Sequence, residues 1–304
     1  MRANRMSQFA TLALVAVTAA WGSTFFLIRD VVQQLSPTDF LAVRFSIAAV
    51  LMLVIFWKPV RALGRRELAV GCGLGAVYGL AQVLQTIGLA HTAASRSGFI
   101  TGTYVILTPL FAALLLRDRI PRPTWFAVAL ASAGLAVLSL RDLGFGYGDA
   151  LTLASAAAYA LHIIGLGRFS KPGNAAGLSA VQMVVIAVVS LVSAAPNGIE
   201  LPSGAGAWTS VVYMAVIAGA GAIWAQTWAQ SHLTATRAAI VMTLEPVFAA
   251  FFAVVSGQES VTTRMLLGGA LVVGAMYVVE LMGRRRSKET AAHDPPSELL
   301  HHEV

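Results

Sequence analysis

The sequence predicts an all-α membrane protein of ten transmembrane helices, arranged as two inverted five-helix repeats. Three observations predict it. Apolar runs of about twenty residues, the length that crosses a bilayer as a helix, recur along the 304-residue chain. Lysines and arginines gather in alternate loops between those runs. One spaced motif also occurs twice, once in each half of the chain.

The bulk numbers support the first observation. Hydrophobic residues make up 57% of the chain and charged ones only 12%, and the mean hydropathy is +0.74. A soluble domain of this length needs about twice that charge fraction to cover its surface. The net charge of +7 does not point to nucleic acid, because most of the charges lie in short loops between apolar runs. Cys72 is the only cysteine, which excludes a disulfide framework and a cysteine metal site.

The ten spans run, in order, over residues 9–28, 38–57, 67–89, 94–116, 123–140, 149–168, 177–195, 207–230, 235–256 and 262–282. The opening MRANR and its apolar run resemble a signal peptide with small residues at Val17–Ala20, but Trp21–Arg29 continues the segment, so it reads as a retained first helix. Residues 284–304 are polar, contain Pro295-Pro296, and read as a disordered cytoplasmic tail.

Orientation follows from the cationic loops. With the amino terminus in the cytoplasm, Arg2, Arg5, Lys58, Arg61, Arg65, Arg66, Arg117, Arg119, Arg122, Arg168, Lys171, Arg284, Arg285, Arg286 and Lys288 fall inside. Only Arg29, Arg96, Arg141 and Arg264 fall outside, so both termini are expected in the cytoplasm.

Gln85-Thr86-x4-His91-x2-Ala94-x-Arg96 recurs as Gln226-Thr227-x4-His232-x2-Ala235-x-Arg237. TPLFAA at Thr108–Ala113 likewise matches EPVFAA at Glu245–Ala250, with one more helical turn before it in the first copy. Spaced identities of this kind indicate duplication. The repeats are set at residues 1–143 and 144–283. Each holds five spans, an odd number, so the second half must enter from the opposite side. Inverted repeats are a transporter architecture with a substrate site near the midplane.

TrpGlySerThrPhe at 21–25, ArgPhe at 44–45, ThrAlaAlaSer at 92–95, the Gly98–Pro109 run, GlyAspAla at 148–150 and LeuGluProValPheAlaAla at 244–250 resemble the EamA family of the drug/metabolite transporter superfamily. The resemblance covers both halves. It implies a ten-helix carrier of the bacterial inner membrane, commonly an exporter of amino acids or related metabolites, with a central cavity lined by both halves. Tyr159 and His162 depart from the family's pattern in the sixth span, where many relatives carry Trp and another aromatic residue.

Glu245 is the first candidate for substrate contact. A carboxylate mid-span costs about 2.5–3.5 kcal/mol or more unless it is paired or hydrated. It could bind a substrate amino group or exchange a proton, or it could merely bond the backbone freed by Pro246. Arg44, in a frame equivalent to Gln182 of the seventh span, could hold a substrate carboxylate or pair with Glu245; it could equally snorkel outward or pair with Asp39. Tyr78, Gln82 and Gln85 fall at i, i+4 and i+7 on one face of the third span, facing either a cavity or a neighbouring helix.

Gln226 repeats Gln85 in the other half. Trp224 could stack on a substrate or simply face lipid. Trp21, Ser23 and Thr24 place an aromatic and two hydroxyls beside Gly22, for substrate or for helix packing. Tyr104 and Tyr159 join this set, and His162 could relay a proton or sit neutral against a neighbour. Bends are expected at Pro109 and Pro246.

Gly71-x-Gly73-x-Gly75 lacks nucleotide-loop spacing and reads as helix packing, as do the small-residue rows at Ala127/Ala131 and Ala270/Gly274. With no P-loop, HExxH or cysteine pair, neither cofactor nor metal is expected. The expected partners are a small-molecule substrate and bilayer lipid. Proton coupling and a monomeric or homodimeric state stay open. A membrane-embedded enzyme built on Glu245 and His162, or a channel or scaffold, is the alternative of another class.

Overall fold

In the absence of water to satisfy backbone N–H and C=O groups, an apolar run in hydrocarbon must close its hydrogen bonds internally, and a helix does so within one segment. The computed structural model describes residues 2–31, 35–92, 94–139, 145–257 and 260–293, and all regular structure among them is helical. In chain order the helices are α1 (Arg2–Val31), α2 (Pro37–Ile55), α3 (Trp57–Arg61), α4 (Arg65–Ala90), α5 (Ala94–Gly102), α6 (Tyr104–Leu115), α7 (Arg122–Ser139), α8 (Tyr147–Phe169), α9 (Ala175–Ala194), α10 (Gly204–Tyr213), α11 (Ala222–Gln230), α12 (Ala235–Met242), α13 (Glu245–Val255) and α14 (Thr263–His293). A π-helical stretch, Met214–Gly221, joins α10 to α11.

Eight of these helical runs are long and apolar enough to cross a membrane. They include α5–α6, α12–α13 and the α10–π–α11 run, each counted as one span. The expected fifth and tenth spans are shorter apolar helices, Arg122–Leu138 within α7 and Thr263–Val279 within α14. The chain is thus a multi-span helical membrane protein, with eight spans meeting the length criterion among the described residues where ten were expected. The α14 helix continues to His293, into the segment expected to be a disordered tail, and residues 294–304 lie outside the described residues. Residues 140–144, at the junction of the halves, also lie outside them.

Lipid is as apolar as leucine, so helices associate by close van der Waals contact, which small residues permit. On α4, Gly71, Gly75 and Gly79 stand one turn apart against α9; a Cβ on Gly75 would sit 2.7 Å from the Gln182 carbonyl oxygen. Gly73, expected to pack with them, borders open space. Gly88 and Gly148 bring α4 against α8, and Gly134 and Gly268 bring α7 against α14. Ala127 and Ala131 are buried as expected, whereas the packed row on α14 is Gly268, Val272 and Ala275, with Ala270 exposed.

The pairing of helices maps onto itself when the two halves are exchanged. The α2 helix packs on α9, and α7 on α14; α4 packs on α8, as α11 does on α1. In the same way α5 and α6 pack on α8, while α12 and α13 pack on α1.

Two spans are interrupted at matching positions. The α5–α6 break falls at Thr103, seven residues after Arg96, and the α12–α13 break at Thr243–Leu244, the latter seven after Arg237. Each break carries a threonine whose hydroxyl donates to the carbonyl three residues back, Thr103 to Ile100 and Thr243 to Ile240, both at 2.6 Å. The break therefore keeps register with the upstream motif. In the first copy the bend expected at Pro109 is displaced to Thr103, because the additional turn lies between break and proline and α6 runs through Pro109. In the second, Pro246 directly follows the break.

Gly75→Val is expected to lower the thermal unfolding midpoint of detergent-purified protein by an amount equivalent to about 1–3 kcal/mol, the typical cost of overpacking. Gly73→Ala, whose Cβ enters open space within the same helix, should not lower it.

Candidate functional site

The α4 face carrying Tyr78, Gln82 and Gln85 turns inward and meets α5 and α8. Gln82 Nε2 donates to the Tyr78 hydroxyl at 3.2 Å, and Gln85 Nε2 donates to Thr101 Oγ1 at 3.0 Å. The Tyr159 hydroxyl donates to Gln85 Oε1 at 2.8 Å. Tyr78 meets the rings of Tyr159 and His162 edge-on, at centroid separations of 5.4 and 4.9 Å. Edge-on contact sets the positive rim of one ring against the negative face of the other.

His162 Nε2 lies 2.8 Å from Gln182 Oε1. The Gln182 amide nitrogen faces the Leu178 carbonyl at 3.1 Å and Thr227 Oγ1 at 3.4 Å, so its oxygen is the acceptor for histidine. That assigns the proton of the neutral imidazole to Nε2. His162 Nδ1 is buried without a hydrogen-bond partner. Gln182 thereby ties α9 to α8 and α11 in one polar layer.

Two charged side chains border this layer. Arg44 is only 6% exposed; its guanidinium carbon stands 4.6 Å from the Phe45 ring centroid and 5.6 Å from that of Phe40. Its Nε has no partner, and among the described residues its side chain makes no hydrogen bond or ion pair. Arg44 neither snorkels outward nor pairs with Asp39, whose Oδ1 is itself buried and unbonded. Tyr78 and Tyr159 lie within electrostatic range of the guanidinium.

Glu245 is the first residue of α13 and half-buried, at the end of the helix where the dipole favours an acid. Tyr78, Tyr104 and Tyr159 lie within its electrostatic range. Among the described residues it too has no side-chain hydrogen bond or ion pair. It is not paired with Arg44, although Tyr78 and Tyr159 lie within electrostatic range of both charges. Thr108, its counterpart in the first half, is fully buried with an unbonded hydroxyl.

Other candidates serve helix contacts. Trp21 Nε1 donates to the Ala218 carbonyl at 2.9 Å, within the π-helical stretch. Ser23 bonds the Ala20 carbonyl and lies 2.7 Å from the Tyr213 hydroxyl, and Thr24 donates to the Trp21 carbonyl. Gln226 donates to Gln230 Oε1 at 3.2 Å, and its own oxygen is buried and unbonded. Trp224 is 42% exposed and stacks on Phe56 at 6.1 Å, away from the polar layer. Thr101 and Thr227 were missed as layer residues; Thr227 lies in the duplicated Gln-Thr motif, whereas nothing in the sequence marks Thr101.

A family model described as the EamA-like transporter family matches residues 8–140 and again 146–281. The chain belongs to this family. An Archaeoglobus fulgidus protein described as an uncharacterized transporter is 31% identical over 277 residues, 90% of this chain and 86% of that one. An Escherichia coli K12 protein, described as the uncharacterized inner membrane transporter YedA, is 27% identical over 290 residues, 88% of this chain and 90% of its own. A solved crystal structure superposes with a TM-score of 0.76 at 20% identity, covering 91% of this chain and 98% of that one, a likeness of fold. As a member of the EamA-like family, the protein is a membrane transporter.

Gln182→Leu would strand the His162 N–H and remove the acceptor's link to Thr227. An unmet buried donor costs about 1–3 kcal/mol. Thermal unfolding in detergent should show a lowered midpoint for Gln182→Leu, and an unchanged midpoint would contradict the tautomer assigned here.

Proposed function

We propose that this transporter is a secondary exporter of amino acids or similar small zwitterions, working by alternating access across the bacterial inner membrane. Ten helices in two inverted five-helix halves, with both termini cytoplasmic, rock about the central polar layer. The bends lie at the breaks in the two interrupted spans, at Thr103 in one and at Thr243–Leu244, just before Pro246, in the other. Glu245 takes the substrate's ammonium group and Arg44 its carboxylate, with Tyr78, Gln82, Gln85, Tyr104, Tyr159 and His162 between them.

One observation carries this reading: a buried cation and an acid bordering the same tyrosine layer, neither held by a protein partner. A lone buried charge is costly, and a ligand carrying both signs compensates both at once. The carboxylate can also exchange a proton when the ammonium leaves, which gives a route to proton coupling.

A second reading is favoured by the three tyrosines around Glu245. Aromatic rings beside an acid suit a cation, so a cationic drug-like compound could be held by Glu245 alone. Arg44 separates the two readings.

In counterflow assays with reconstituted protein, Glu245→Gln and Arg44→Gln should each reduce amino acid flux at least tenfold, the loss of about 1.4 kcal/mol or more of binding. Flux unchanged in both variants for every amino acid tried would refute the zwitterion reading. Loss in Glu245→Gln alone, with cations competing, would establish the cationic one.

A further inference from the structure

A second site lies away from the polar layer, at the corner where α2 turns through α3 into α4. Proline at 59 and the short α3 helix fix this turn in place of an open loop. The α3 backbone seats closely on α9: a Cβ at Gly177 would stand 2.7 Å from the Pro59 carbonyl oxygen. Glu67 secures the start of α4, accepting from the Gly64 N–H at 3.1 Å and from Asn174 Nδ2 at 2.8 Å. Asn174 in turn accepts the Lys171 N–H at 2.8 Å, so the α8–α9 loop is bound to the same corner.

This ordered corner exposes Lys58, Arg61, Arg65, Arg66 and Lys171. Glu67 is the acid among them, and both of its oxygens are engaged by uncharged amides. The cations therefore present an excess positive field on a rigid frame. Beside them, Trp57 is 56% exposed and carries the Arg61 guanidinium 5.7 Å from its ring centroid. Val54 and Ile55, at the end of α2, are 74% and 58% exposed and continue the apolar surface from Trp57.

We propose that the α3–α4 corner binds an anionic phospholipid, its phosphate held by Lys58, Arg61 and Arg65 and its acyl chain laid along Trp57, Ile55 and Val54. Each part of the chemistry is matched. Tryptophan prefers the depth of the headgroups. A planar guanidinium gives phosphate two parallel donors. Basic clusters at the ends of membrane helices attract anionic lipid by about 1 kcal/mol per cation. A free phosphate would use the cations but not the apolar shelf, which commits the site to lipid.

Native mass spectrometry of the full chain in detergent, with added phosphatidylglycerol or phosphatidylcholine, tests the site. Phosphatidylglycerol should be retained in preference to phosphatidylcholine. Lys58→Gln/Arg61→Gln/Arg65→Gln should weaken that retention by about tenfold or more. Arg117→Gln/Arg119→Gln/Arg122→Gln, which removes the same charge from another exposed loop, should not. Trp57→Ala should weaken it as well. Equal retention of both lipids, equal loss in both triple variants, or displacement of the lipid by glycerol phosphate at equal concentration would overturn the proposal.

Discussion

An ion in hydrocarbon has no solvent to fall back on, and that constraint governs the interior of this protein. Arg44 is buried against Phe40 and Phe45 with its Nε unbonded, and Glu245 starts a helix without a side-chain partner. The isolated cost of such groups is several kcal/mol each. The surrounding residues do not neutralise them but surround them with oriented polar groups. Tyr159, Gln85 and Thr101 form one hydrogen-bonded chain, with Tyr78 edge-on to Tyr159, and His162, Gln182 and Thr227 form another. Hydrogen-bonded layers of this kind hold their geometry while leaving the two charges available.

The helices that supply this layer can approach because their contact faces are nearly bare. Glycines at 71, 75 and 79 let α4 settle on α9, which brings Tyr78 toward His162 and the Gln182 layer. Gly22 does the same for α1, whose backbone approaches Phe248 and Ala249 within α13 and so fixes the helix that begins with Glu245. The breaks at Thr103 and Thr243–Leu244 are equally local in origin. At each break a threonine hydroxyl donates to the carbonyl three residues back, and the next helical segment restarts with Tyr104 in one half and Glu245 in the other. The two residues thereby come within electrostatic range of each other.

Much of this was legible in the sequence, for physical reasons. The spacing of Tyr78, Gln82 and Gln85 defines a helix face whatever the neighbours are, and polar residues on such a face avoid lipid. The duplicated motif fixed where the second half would repeat the first, and the matched breaks follow that register. What stayed undecided depends on how each helix is rotated and on partners distant in the chain. Trp224 and Gln226 are two residues apart, yet helix rotation sends one to Phe56 at the surface and the other to Gln230 inside. Trp21 and Ser23, open in the sequence to substrate or to helix packing, meet Ala218 and Tyr213 nearly two hundred positions later. The bend was assigned to Pro109 because proline is the visible breaker, whereas the ladder yields at a threonine.

The account rests on position 245 being a wet, ligand-accessible site within the membrane. Cysteine accessibility measures this directly: in a Cys72→Ser background, Glu245→Cys is exposed to a charged, membrane-impermeant thiol reagent from each side of sealed vesicles. The account predicts modification from at least one side. No modification from either side, while a lipid-soluble maleimide reacts freely, would contradict it.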